Sequence, residues 1–222
     1  MARILLINPN ISERSTEMML AVARPLLPPG VSLRGMGASI GAAMIVDEAG
    51  LAAGAAEVVR IGTAEAGDAD AIVVAAFGDP GAQRLRALLS IPVIGIGEAA
   101  MREAATGGRR FGIATTTPRL VRSIEACVRG LGLDGMFTGV RVPGGDPLTL
   151  AADPTAQEDA LAAAATACIE RDGAEAVIIG GGPLSATAAR LRRRFGIAIV
   201  EPVPAAMRGV LGVRIEDLLD DV

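Results

Sequence analysis

The sequence predicts an α/β fold, and three observations carry the prediction. Short apolar runs alternate along the chain with longer amphipathic stretches, the pattern of a parallel sheet covered by helices on both faces. Gly, Pro or polar residues close each apolar run, as turns between strands and helices require. Two distant segments also repeat one order of elements, the mark of an internal duplication.

Strands are predicted at residues 4–7, 71–75, 93–96, 111–114, 176–179 and 198–200, where runs such as ILLI and AVII are apolar but too short for buried helices. Helices are predicted over 12–26, 53–66, 81–88, 98–106, 118–131, 155–171 and 185–195 from apolar residues recurring every three or four positions. Ser12 is placed to cap the first helix, with Ser15 near its start, and Pro118 stands where a first helical residue is tolerated. Residues 68–96 and 172–202 share an acidic turn, a buried strand, a Gly/Pro turn, an Arg-rich helix and a second strand. Upstream of each, ARILLINPN and RRFGIATTTP pair a strand with polar residues and a following helix. The expected architecture is therefore two pseudosymmetric, flavodoxin-like parallel-sheet halves, intimately packed. The first covers 1–105 plus a C-terminal segment, and the second 106–205. The acidic end, residues 217–221, reads as a solvated tail.

Composition removes much chemistry. The 222 residues include no His and, reading down the chain, no Lys, so all 21 basic residues are Arg. That excludes a Ser-His-Asp triad, His-ligated zinc, a Schiff-base lysine and a P-loop lysine. A base for proton transfer must be a carboxylate, a cysteine or a bound water. A net charge of −4 with four Phe as the only aromatics argues against nucleic acid. The mean hydropathy of +0.46 comes from short Ala, Val, Ile and Leu runs, none near the roughly 20 residues of a membrane span. No signal peptide is visible, so a cytoplasmic location is expected. No acidic cluster has metal-ligand spacing, and no metal or cofactor is expected. Cys127 and Cys168 lie in predicted helices and read as inert core thiols.

In a parallel α/β sheet, ligands bind beyond the carboxyl ends of the strands, which nominates four turns. Asn8 and Asn10 flank Pro9 after the first strand; their amides offer donors and acceptors, although Asn-Pro-Asn is also ordinary turn chemistry. Ala76, Phe77, Gly78 and Asp79 follow the 71–75 strand, and Asp79 is either an acid/base group or the cap of the helix starting near Pro80. Thr115, Thr116 and Thr117 precede Pro118 and present hydroxyls and N–H groups suited to an oxygen, or else one of them is simply a cap. Gly181, Gly182 and Pro183 form a turn that brings backbone close to a ligand, and their spacing does not match a dinucleotide fingerprint. Glu201, just past the last strand, is the other carboxylate placed for acid/base work.

INPN at 7–10, AFGDPG at 76–81, IPVIGIGEAAM at 91–101, RRFGIATTTPR at 109–119, EAVIIGGGPL at 175–184 and VEPVPAAM at 200–207 resemble the aspartate/glutamate/hydantoin racemase superfamily, nearest its hydantoin and allantoin racemase branch. The resemblance implies a cofactor-independent site between the halves and a homo-oligomer, a dimer or tetramer. It also implies two cysteines on opposite faces of the substrate, one removing a Cα proton and the other returning it. Those positions correspond here to Ala76 and Gly181, and neither residue can carry a proton. The expectation is an enzyme that keeps the pocket for a hydantoin, thiohydantoin or ureide, with or without a carboxylate arm, and replaces the chemistry with hydrolysis or desulfuration. Glu201 or Asp79 would act as acid/base, with Asn8, Asn10, the threonines and turn N–H groups binding the ring. A racemase with carboxylate bases and a non-catalytic binder are the alternatives.

Overall fold

In a computed structural model, which describes residues 2–219 and side chains through 212, the chain forms two four-stranded parallel sheets. The acidic side chains of 217–221 lie outside the described residues. The first sheet contains β1 (Ala2–Asn8), β2 (Val31–Gly37), β3 (Ala71–Val74) and β4 (Val93–Gly95) in the order β2-β1-β3-β4. The second contains β5 (Phe111–Ala114), β6 (Phe137–Arg141), β7 (Ala176–Ile179) and β8 (Ala198–Val200) in the order β6-β5-β7-β8. One topology is thus used twice.

The helices are α1 (Glu13–Ala23), α2 (Glu48–Glu65), α3 (Ala82–Leu88), α4 (Ile96–Ala104), α5 (Val121–Gly130), α6 (Pro147–Ala152), α7 (Pro154–Glu170), α8 (Ser185–Leu191) and α9 (Pro202–Leu219). The Ser12 hydroxyl caps α1 by accepting from Ser15 N–H at 3.2 Å, and Asp47 and Asp153 cap α2 and α7 in the same way. The central strands β1, β3, β5 and β7 are buried on both faces, which explains their unbroken apolar runs.

Four elements depart from the predicted set. β2 (VSLRGMG) alternates half-buried with exposed residues at a sheet edge, and β6 (FTGVR) is half-buried throughout with Gly139 at φ +122°; neither forms an apolar run. The short α6 opens on Pro147, and α9 carries prolines at 202 and 204, which a helix accepts only in its first turn.

The last helix of each half crosses to the other sheet. Ala100, Met101 and Ala104 of α4 pack with Phe111, Ile113, Ala176 and Ile178 of the second half. Reciprocally, Val203, Ala206, Met207 and Val210 of α9 pack with Ile4, Leu6, Ala71 and Val73 of the first. This exchange welds the halves and fixes the carboxyl ends of both sheets around one space. On the second sheet, Gly112 lets α7 close onto β5, because a Cβ there would stand 2.9 Å from that of Cys168. Cys168 is a core thiol for this reason, and burial pushes it up to about 12.

Candidate active site

The carboxyl ends of β1, β3, β5 and β7 open into a cavity of about 490 Å³ lined from both halves. From the turns singled out above, Asn10, Ala76, Phe77, Thr116, Thr117, Gly181, Gly182 and Pro183 line it. Ala76 and Gly181 occupy matching places, each two residues beyond its strand, as the repeated topology requires.

Asn8 does not line the cavity; it is fully buried and positions Asn10. Its Nδ2 donates to Asn10 Oδ1 and Thr16 Oγ1, both at 2.9 Å, and to the Ser12 carbonyl at 3.3 Å. Asn10 Oδ1 also accepts the Ser12 N–H at 2.9 Å, so donors on both sides fix the amide orientation. Asn10 is 8% exposed, and its Nδ2 has no partner among the described residues. An unpaired buried donor is costly, which is a reason to look for a ligand acceptor there.

The three threonines divide the work similarly. Thr115 Oγ1 donates to the Gly180 carbonyl at 2.7 Å, joining the turns after β5 and β7, and its oxygen accepts from Thr117 Oγ1 at 3.1 Å. Thr115 therefore lies behind the cavity wall. Thr116 is 2% exposed, lines the cavity and has no hydroxyl partner among the described residues. None of the three caps α5, which is entered through a 3₁₀ turn at Pro118–Leu120. Among the described residues, the N–H groups of Phe77, Gly181 and Gly182 also donate to no protein acceptor, whereas Gly78, next in the turn, does not line the cavity. The cavity wall is a set of unused donors contributed by both halves.

The two carboxylates expected to act as acid and base lie elsewhere. Asp79 does not cap α3; its carboxylate turns to the start of α4 and accepts the N–H groups of Gly97 at 2.8 Å and Glu98 at 2.6 Å. Burial raises it to about 6 against the pull of those two donors. Glu98 in turn pairs with Arg86 and Arg102. Glu201 is held by Arg192 at 3.1 Å where α9 begins; burial raises its pKa and the Arg192 charge opposes the rise. Gly78 directs its carbonyl to the Cys127 thiol at 3.8 Å, and burial pushes that thiol up to about 11. Neither carboxylate and neither cysteine lines the cavity.

Its charged lining groups are Arg14, from the first turn of α1, and Arg190, from α8. The sequence reading missed both, since each looks like a helix-surface arginine. It also missed Ala43, Met44 and Ile45 on the loop after β2, and Leu148 and Gln157 after β6, which complete the mouth. The first loop is fastened by Glu57, which accepts Ser39 N–H at 2.7 Å and Ser39 Oγ at 2.9 Å and pairs with Arg60 at 2.7 Å. The Arg60 hydrogen bond, then that of Ser39 N–H, pull Glu57 down to about 2.

Comparison with known proteins places this geometry in context. A family model described as Asp/Glu/Hydantoin racemase matches residues 4–210. A hydantoin racemase from Paenarthrobacter aurescens is 31% identical over 209 residues, 93% of this chain and 88% of that protein. The structure of an allantoin racemase from Pseudomonas fluorescens superposes with a TM-score of 0.91 at 31% identity, covering 96% of this chain and 92% of that one. An allantoin racemase from Klebsiella pneumoniae gives a TM-score of 0.92 at 28% identity, covering 98% and 89%. No helix among the described residues is long and apolar enough to cross a membrane.

Proposed function

The chain belongs to the Asp/Glu/hydantoin racemase family, and from that premise we propose that it is an isomerase exchanging the C5 proton of a 5-substituted hydantoin or related cyclic ureide. The racemase names of its relatives favour isomerisation over the hydrolysis or desulfuration expected from the sequence. The supporting observation is the two-sided wall of unpaired donors: Asn10 Nδ2, the Thr116 hydroxyl and the N–H groups of Phe77, Gly181 and Gly182. A hydantoin ring carries two carbonyl oxygens that such donors fit. Loss of the C5 proton places negative charge on the adjacent carbonyl oxygen, and donors fixed beforehand stabilise that charge without reorganising.

Ala76 and Gly181 leave the ring faces without a side-chain base, so bound water takes the proton from one face and returns it on either. No net bond change accompanies the inversion. Mass spectrometry after incubation in deuterated water tests the reading: a product in which a deuteron has replaced the C5 proton, with no other mass change, supports it, whereas a ring-opened or sulfur-free product overturns it. A lining that carries no thiol or carboxylate among the described residues also favours a second reading, a non-catalytic binder, which would show saturable thermal stabilisation without exchange. We further propose that the protein works as a homo-oligomer in the cytoplasm.

A further inference from the structure

The cavity is electrically one-sided. Its charged lining groups among the described residues are two guanidinium groups, in a chain whose net charge is −4. Arg190 is largely engaged: Nε pairs with Glu158 at 2.5 Å, Nη1 donates to the Ala186 carbonyl at 3.3 Å and Nη2 to Thr187 Oγ1 at 3.1 Å. Arg14 has no hydrogen bond or ion pair with any described residue. Helix energetics do not account for Arg14 either, because a cation in the first turn opposes the helix dipole. Ser15 and Met18 line the cavity from the same stretch of α1, and α1 packs against α8, so both arginines belong to the wall those helices share.

We propose that Arg14, seconded by Arg190, is the specificity determinant of this cavity, holding the carboxylate of a substrate whose 5-substituent ends in one. The inference rests on the ring-binding reading above and names its substrate class. A planar guanidinium presents paired N–H donors that match a carboxylate, and an unengaged one in a concave site is open to that contact. The ring carbonyls face Asn10 Nδ2 and the Thr116 hydroxyl, unpartnered groups on buried residues, while the arm runs toward α1 and α8.

The test compares three probes by calorimetry: 5-(2-carboxyethyl)hydantoin, its uncharged carboxamide and ring-free glutarate. The acid is expected to bind at least about tenfold more tightly than the carboxamide. That preference is expected to fall to about twofold or less in Arg14→Gln, whose unliganded Tm should stay within about 2 °C of wild type because Arg14 is exposed. Raising salt from about 50 to about 500 mM should weaken the acid and spare the carboxamide. Equal binding of acid and carboxamide by the wild type, or an undiminished preference in Arg14→Gln, overturns the role of Arg14 and leaves ring binding standing. Binding of glutarate without either hydantoin keeps the anion site and overturns the ring. Binding of none of the three overturns both.

Discussion

The Asp79 carboxylate accepts the Gly97 N–H at 2.8 Å, fastening the turn that carries Ala76 and Phe77 to the first turn of α4. Asp79 holds φ at +50°, the one non-glycine residue at positive φ among those described, and a Cβ on Gly95 would overlap its carboxyl group. The turn is thus held by a side chain that the sequence offers as a catalyst.

A pH dependence follows, because burial raises Asp79 from 3.8 to about 6. A carboxyl with a raised folded-state pKa contributes stability that is complete below its unfolded value and is lost as pH rises through the folded one. The thermal stability of wild type relative to Asp79→Asn should therefore decline from about pH 4 to about pH 7, by on the order of 2 kcal/mol. A relative stability that increased over that range would show that the ionised form is the better fit.

Glu57 has the opposite sign. Its pKa is lowered to about 2, so its contribution is present above the ordinary carboxylate value and disappears only as pH falls through about 2. Because it fastens the loop bearing Ala43, Met44 and Ile45, Glu57→Gln should lower Tm at neutral pH by about 3–6 °C. It should also weaken hydantoin binding several-fold, measured by calorimetry on the folded variant.

Gly181, where the resemblance implies a second thiol, sits in a turn packed closely against Leu184. A Cβ on Gly181 would lie 2.9 Å from both Leu184 Cγ and Leu184 Cδ1. Gly181→Cys should therefore cost about 1–3 kcal/mol in denaturant unfolding, with part of the loss recovered by Leu184→Ala. Thiol alkylation should leave wild-type exchange unchanged, since Cys127 and Cys168 sit outside the cavity with pKa values of about 11 and about 12. In Ala76→Cys/Gly181→Cys/Leu184→Ala, alkylation should abolish any added exchange.

The exchanged helices make a further stability prediction. Met207 is fully buried on α9 against the first sheet, and Met207→Ala should cost about 2–5 kcal/mol in a single transition spanning both halves. Two separated transitions would contradict the shared core.

The central strands and the α/β class were legible in the sequence because β1, β3, β5 and β7 are buried on both faces and so write continuous apolar runs. Of the edge strands, β4 and β8 were legible as short apolar runs, but β2 and β6 were not, since β2 alternates with exposed residues and β6 is half-buried throughout with Gly139 at positive φ. For the site, the turns were legible because each follows such a strand. The division within them was not: Asn8 and Asn10, or Thr115 and Thr116, have the same chemistry, and only the hydrogen-bond partners show which one faces the cavity. Arg14 and Arg190 were hidden because nothing local distinguishes a cavity arginine from a solvated one.

The most direct measurement is C5–H exchange, followed by proton NMR in deuterated water, for wild type and Thr116→Val side by side. Enzyme-dependent exchange is expected in the wild type and should fall by about 10- to 100-fold in the variant, because one donor to the developing oxyanion is lost. Equal rates in the two proteins, or a wild-type rate no faster than buffer, would contradict this expectation.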